Sequence, residues 1–420
     1  MYLFKNIIVP YKRKVIFLYF LINNGMKRNY AVLLRIYPNQ EQSNLINKTI
    51  GCCRFLYNQM LGERKQLWEE HKENKEEIYG WKYKTEKEYK QEFEFLKEAD
   101  SVALQQSRRH LEVAYNNFFK SLSGRRKGGN VGFPKFKKKK NGGSYASMNN
   151  KTIEIKDKNH IKLPKLGIVK IGFNQKIINN NDKICSITIR KIPTNKYYCS
   201  ILFEKEVEET KKTELSENSK VVGLDMSLTN FFVDSEGNSP AYQKIYKKHE
   251  KKLKRLQHLE SRKKKGSRKQ KKLRKSINLL NEKISNKRKD FSHKLSTKLV
   301  KENDVIVVES LNLKQMSQQL KLGKSVMDLG YTQFITQLKY KCDWYGKHLI
   351  EADKWFASSK ICNKRGYKYN DLALSERKWV CPNCGTTIER DENAAKNLKD
   401  LGVAHIHKCL QSQNNSSAMK

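Results

Sequence analysis

The chain has 420 residues, enough for two or three domains with cores of their own. Lys and Arg total 86 against 43 Asp and Glu, and the formal net charge of +43 repels itself unless an anion such as nucleic acid neutralises it. Hydrophobic residues at 38% and aromatics at 10% exclude a disordered chain, while nine mostly scattered cysteines, an odd number, exclude a disulfide framework and point to a reducing, cytoplasmic compartment.

Residues 15–22, VIFLYFLI, resemble a short signal core, but spanning a bilayer takes about 20 apolar residues. Residues 1–25 are read as an upstream extension before a start at Met26, and no membrane partner is expected. Residues 30–37 are strand-like. Pro38 opens a helical region reaching residue 120, with Leu45, Ile46, Thr49, Cys52, Cys53 and Leu56 at helical spacing. Cys52 and Cys53 are core residues on this pattern. Between 124 and 144 Gly and Lys dominate, and Phe133 and Phe136 stand among the lysines. This is either a solvated loop or an arm that tracks phosphates and stacks on bases. Residues 152–204 alternate polar and apolar, as in a small barrel or sandwich, and 205–218 form a polar linker.

From residue 220 strands and helices alternate, which argues α/β. VVGL before Asp225 and VIVV before Glu309 are unbroken apolar runs, as for strands buried on both faces. FFVD is the hairpin partner of the first. Residues 243–300 read as a Lys- and Arg-rich helical hairpin broken near Gly266, 331–346 as a helix and 349–356 as a strand. Residues 362–385 form a cysteine module, and 391–402 a helix closed by Gly402 before a polar tail.

Three acidic residues stand out by position: Asp225 and Glu309 follow the buried runs, and Asp391 opens the last helix. Phosphodiester cleavage uses divalent metals about 3.5–4 Å apart, and Mg²⁺ prefers carboxylate oxygen. Carboxylates ending two neighbouring strands, with one from an adjacent helix, would converge on such ions. Singly, each has a plain reading: Asp225 as a turn residue, Glu309 as a solvated strand end, Asp391 as a helix cap.

The segments YPNQEQSNLINKTIGCCRFLYNQML, GFPKFKKKK, GLDMSLTNFFVDSEG, NKRKDFSHKLSTKLV, VVESLNLKQM, LSERKWVCPNCG and RDENAAKNL occur in one order. In them the chain resembles the TnpB family, the OrfB-type "transposase" proteins of insertion sequences and relatives of type V CRISPR effectors. GLD, VVES and RDENAAKN match its three RuvC motifs. The resemblance implies a multidomain α+β protein. An RNase H-like (RuvC) α/β nuclease domain would carry an inserted cysteine module, and an N-terminal β-barrel, wedge-like domain would carry a helical insertion. The implied divisions are 26–37, first barrel strand; 38–123, helical recognition lobe; 124–212, barrel domain; and 218–356, first part of the nuclease. Then follow 357–388, a degenerate zinc ribbon; 389–404, the last part of the nuclease; and 405–420, a disordered tail.

By carry-over Asp225, Glu309 and Asp391 are the catalytic residues, holding two Mg²⁺. Partners would be a guide RNA from the transposon end, double-stranded target DNA and a transposase from the same element. Nucleic-acid contacts are expected from Arg54, Tyr57, Asn58, Phe133, Lys135, Phe136, Lys137, Arg288, His293, Lys294 and Arg390, all within the matching segments. The family's zinc ribbon has two CxxC pairs. Here Cys381 and Cys384 form one, but Cys362 is followed by Arg365 where the fourth cysteine belongs. Three thiolates remain for Zn²⁺, with His405, His407 and Cys409 as other donors. The alternatives to a guided nuclease are a nuclease-inactive RNA-guided repressor and a transposase that joins strands itself.

Overall fold

A strand with one buried face needs a second layer, and the chain builds two such arrangements, in Met1–Glu208 and in Glu209–Lys420. The structure, a computed structural model, describes residues 26–71, 83–139, 142–149, 151–172, 182–207, 212–310, 323, 328–373 and 376–418. The upstream extension read at 1–25 lies outside them.

In the first unit β1 (Met26–Tyr37) is the central strand. After it come α1 (Gln40–His71), α2 (Glu86–Glu92), α3 (Ser101–Leu122), β2 (Gly143–Met148), β3 (Glu154–Asp157), β4 (His160–Leu163), β5 (Gly167–Ile171), β6 (Lys183–Lys191) and β7 (Tyr197–Val207). The strands order as β2-β6-β7-β1-β5-β4-β3, every neighbour antiparallel. Leu34, Ile36, Ile201 and Phe203 meet Ile46, Leu56, Leu61, Leu104 and Leu111 of the helices in one core. Cys52 and Cys53 are buried in it. The sequence suggested a closed barrel. Among the described residues the sheet is open, because β2 and β3 end the order and do not pair with each other. The helical layer packs on β2 instead: Ser147 donates to the Asp100 carboxylate at 2.6 Å, and Gly143 leaves room for Ile50.

The second unit contains β8 (Val221–Ser227), β9 (Phe231–Asp234), α4 (Ile245–Ser261), α5 (Arg268–Glu302), β10 (Val305–Val308), α6 (Tyr331–Tyr345), β11 (His348–Glu351), β12 (Lys378–Val380), β13 (Thr387–Glu389) and α7 (Arg390–Ala418). Its main sheet runs β11-β10-β8-β9, with β11, β10 and β8 parallel and β9 antiparallel. Both faces are covered, which is why VVGL and VIVV read as unbroken apolar runs. Val222, Leu224, Ile306 and Val308 face the side of Leu299, Val300, Phe334 and Leu338. Val305 and Val307 face the other way, with Leu398 and Ile406 of α7. The helical hairpin is α4 on α5, joined through Ile245, Leu253, Leu280 and Ile284.

The last helix differs from the sequence reading. Gly402 does not close it, and the tail expected to be disordered from 405 continues as helix to Ala418. Ile406, Cys409 and Leu410 extend its apolar stripe. Gly402 serves close packing: a Cβ there would lie 2.7 Å from side-chain carbons of Val221 and Val307. No helix among the described residues is long and apolar enough to cross a membrane.

Between α5 and α6 lies a buried ammonium, Lys341. Its three donors meet the carbonyl of His293 (2.8 Å) and the hydroxyls of Ser296 and Thr297 (both 2.7 Å). Burial pushes its pKa down from 10.5 to about 8. Below about pH 8 the amine is protonated folded or unfolded. Between there and 10.5 only the unfolded chain holds the proton, so stability rises with pH. Relative to Lys341→Met, the parent is expected to gain up to about 3 kcal/mol across that window. Paired thermal melts from pH 7 to 10.5 read it, and parallel curves would refute the assignment.

Candidate active site

Strand alternation decides where the carboxylates point. On β8, Gly223 faces α7, so Asp225 two residues on faces the same way. On β10, Val305 and Val307 face α7, and Glu309 continues their row. Val308 pairs with Leu224, which sets Glu309 beside Asp225 just where the parallel pairing of β10 with β8 ends, Asp225 itself still paired to Val233 of β9. Asp391 lies in the first turn of α7, the helix packed on that face.

The electrostatics agree with this convergence. Burial pushes the Asp225 carboxyl up to about 8, and the charges of Glu309 and Asp391 add to the shift against Arg390 and Arg377. Burial also raises Glu309, opposed by a hydrogen bond from the Ser358 hydroxyl at 3.4 Å. Asp391 accepts from Arg377 at 3.2 Å. An open cleft lined by Thr229, Asn230, Val233, Gly237, Arg377, Glu389, Asp391 and Glu392 leads to this region.

A hard divalent cation selects carboxylate oxygens, and a cluster that must hold a proton at Asp225 near neutrality has the charge to receive one. No choice of one oxygen from each of the three carboxylates brings them all within 4.8 Å of one another. That spread is too wide for one ion with ligands at about 2.1 Å, but two ions about 4 Å apart allow a span of about 8 Å. The donor type, carboxylate oxygen, is the one Mg²⁺ selects, and in this arrangement the three side chains do not share a single ion.

A clamp of asparagines joins the cysteine module to this face. Asn393 donates to the Ile361 carbonyl at 2.7 Å, and Asn397 donates to the Ser358 and Ile361 carbonyls, both at 2.7 Å. The Asn363 amide returns a bond to Asn393 at 3.0 Å. Ser358, Arg377, Asn363, Asn393 and Asn397 are the site's supports that sequence reasoning missed. The signal available was Asn393 and Asn397 at i, i+4, one face of a helix behind Asp391.

Cys362, Cys381 and Cys384 come together with sulfurs within 4.8 Å, the one such His/Cys/Asp/Glu cluster among the described residues. The Thr386 hydroxyl and amide help hold the Cys384 thiol down at about 7. His405, His407 and Cys409 are not in the cluster.

The expected nucleic-acid contacts divide. Tyr57 is buried, with the Lys137 ammonium 3.9 Å from its ring centroid, and burial lowers that lysine's pKa. Asn58 exchanges two hydrogen bonds with the Lys137 backbone, at 2.8 and 3.0 Å. These three pin the Lys-rich segment to α1 and do not offer Tyr57 to a base. Phe133 is 39% exposed but packs edge-on against Tyr115 and Phe118, while Phe136, 46% exposed, has the Lys65 ammonium 4.9 Å away. Lys135 is exposed and Arg54 half-buried. On α5, Lys294 pairs with Asp290 at 2.9 Å, His293 is exposed at its side chain, and Arg288 is half-buried. Arg390 donates to the carbonyls of Ala373 (3.3 Å) and Glu376 (3.5 Å), bracing the module beside Asp391.

Three family descriptions match the chain: "Helix-turn-helix domain" over 26–73, "Probable transposase" over 201–320 and "Cas12f1-like, TNB domain" over 331–398. A Streptomyces pristinaespiralis protein named "Putative RNA-guided DNA endonuclease" is 30% identical over 374 residues, covering 89% of each chain. Escherichia coli (strain K12) InsQ, named likewise, is 29% identical over 402 residues, covering 90% of this chain and 94% of its own. In fold, the Cas12f1 chain of a cryo-EM complex with sgRNA and target DNA aligns at TM-score 0.54 and 13% identity, covering 90% of this chain and 99% of that one.

Proposed function

The chain belongs to the TnpB family, and from that premise we propose that it is a transposon-encoded, RNA-guided endonuclease that cuts DNA at Asp225, Glu309 and Asp391. In this reading the second unit is an RNase H-like (RuvC) nuclease with an inserted ribbon, and the first is the wedge-like domain with its helical lobe. The observation that carries it is the projection of all three acidic residues onto the α7 face, with Asp225 pushed up to about 8 by burial and its two neighbours. The excess of lysine and arginine supports nucleic-acid partners, here a guide RNA and double-stranded target DNA.

The chemistry that two divalent cations supply when bound to these carboxylates is activation of water and stabilisation of the leaving oxygen. The protein's own residues prepare the site. The apolar surroundings desolvate Asp225 and Glu309 and raise both carboxyls, and these two with Asp391 would hold the cations. Ser358 fixes one Glu309 oxygen, and Arg377 holds Asp391 in a mostly exposed pair, weak enough for a cation to displace.

The test is to purify the chain with its RNA, sequence that RNA, and offer a DNA target complementary to its guide portion. Cleavage with Mg²⁺ and none with chelator is expected. Binding without cutting would establish the repressor reading, and joined strands without a partner protein the transposase reading.

A further inference from the structure

The cysteine module repeats one turn twice. The Cys362 carbonyl accepts from the Gly366 amide and the Cys381 carbonyl from the Gly385 amide, each at 2.8 Å. Both glycines are left-handed, at φ 69° and 67°, a conformation that favours glycine. The second turn carries sulfur at its first and fourth positions, Cys381 and Cys384. The first keeps the same backbone but carries Cys362 and Arg365. The first turn has the frame of the second with one sulfur fewer.

The remaining sulfurs are set up for a soft ion. Cys362 and Cys384 stand 3.8 Å apart, and the three atoms lie within 4.8 Å. The amides of Lys364 and Arg365 donate to Cys362, and the Cys384 thiol donates to the Thr386 hydroxyl oxygen at 3.4 Å. Burial raises the Cys362 thiol and the two amides oppose it, so the case for an ion here is the close approach of the three sulfurs. Among the described residues no protein group completes the set: His405 and Cys409 contact each other at 3.6 Å, outside the cluster, and Arg365 is exposed and cannot ligate. Structural zinc is almost always four-coordinate, so the residues present do not fit a closed ribbon site.

We propose that Cys362, Cys381 and Cys384 hold a thiophilic divalent ion on three sulfurs, and that its fourth position takes an exchangeable small anionic ligand from solution. The net charge permits an anion there. Three thiolates on a dication leave a net charge of −1. A fourth anionic ligand makes −2, the charge four cysteines would give, and the residue that stands where the fourth cysteine would be, Arg365, is a cation. The asparagine clamp ties the first turn to α7, so occupancy of this site also steadies the helix that carries Asp391.

The full chain, loaded with Co²⁺ in place of zinc, reports its ligands by absorption. One ion per chain is expected, lost in Cys384→Ser. Added 2-mercaptoethanol is expected to shift the parent spectrum and leave that of Arg365→Cys unchanged. The Arg365→Cys protein should release zinc to a chelator more slowly, by at least the roughly tenfold that even an outer-shell partner contributes. An unoccupied parent, a Cys362–Cys384 disulfide in its place, or a parent spectrum indifferent to added thiol overturns the proposal, even if Arg365→Cys does not fold. None of these readouts depends on DNA cleavage, so this inference and the nuclease assignment fail separately.

Discussion

Asp225→Asn is expected to lower guided DNA cleavage by about 1,000-fold or more while the protein still folds and holds its RNA. Amide oxygen is a poor substitute for carboxylate on a hard dication, and losing several kcal/mol of metal-borne stabilisation corresponds to that factor. The same substitution carries an independent signature in metal-free protein. The Asp225 carboxyl is raised from 3.8 to about 8, chiefly by burial and then by Glu309 and Asp391. A raised acid stabilises the fold fully below the unfolded value and loses that contribution as pH climbs through the folded one. The loss has a ceiling of about 6 kcal/mol, reduced by local relaxation. Asn matches the protonated form and does not titrate. In chelator at pH 8 to 9 the variant should therefore melt above the parent, and Mg²⁺ should close the gap by stabilising the parent alone. A variant that cuts like the parent ends the catalytic assignment. One that melts lower in chelator shows that Asp225 is a structural anion.

What the residues disclosed beforehand follows the range of the interactions involved. VVGL and VIVV were legible because burial on both faces leaves an unbroken apolar run, and the acids that end them were conspicuous for the same reason. Their shared face also lay within reach of the sequence, since strand parity fixes it once a neighbour is known. Long-range partners were not legible. Nothing local marks Ser358 as the donor to Glu309, or Arg377 as the partner of Asp391. Gly402 looked like a helix stop, because a glycine kept for close packing and one kept for a turn are the same letter. Alternating strands implied a barrel, but alternation reports which face is buried and not whether two edges meet. The GFPKFKKKK arm read as a phosphate tracker. Part of its charge and aromaticity is spent on the protein's own surface, where the Lys137 ammonium sits on the buried Tyr57 ring.

Gly223→Ala is expected to cost more stability than any other single methyl added to the second unit. A Cβ at 223 would stand 2.1 Å from the Ala395 carbonyl oxygen, 2.6 Å from the Lys399 amide nitrogen and 3.0 Å from the Leu398 Cβ. These are atoms of the helix itself, so no rotamer relieves the clash, and β8 and α7 must separate. Overpacking usually costs about 1–3 kcal/mol, and the top of that range or beyond is expected here. Gly402→Ala is the control. Its Cβ meets the side-chain carbons of Val221 and Val307 at 2.7 Å, which can turn away, so about 1–2 kcal/mol is expected. Denaturant unfolding of the metal-free chains measures both, and equal costs would mean that the strand and helix are not in contact as described. The consequence for chemistry follows from position. Ala395 lies one turn beyond Asp391 on α7, and Gly223 lies two residues before Asp225 on β8. A methyl between them pushes apart the two elements whose carboxylates must act together. Cleavage should therefore stay impaired even at low temperature, where the variant is folded, whereas Gly402→Ala should cut normally under the same conditions.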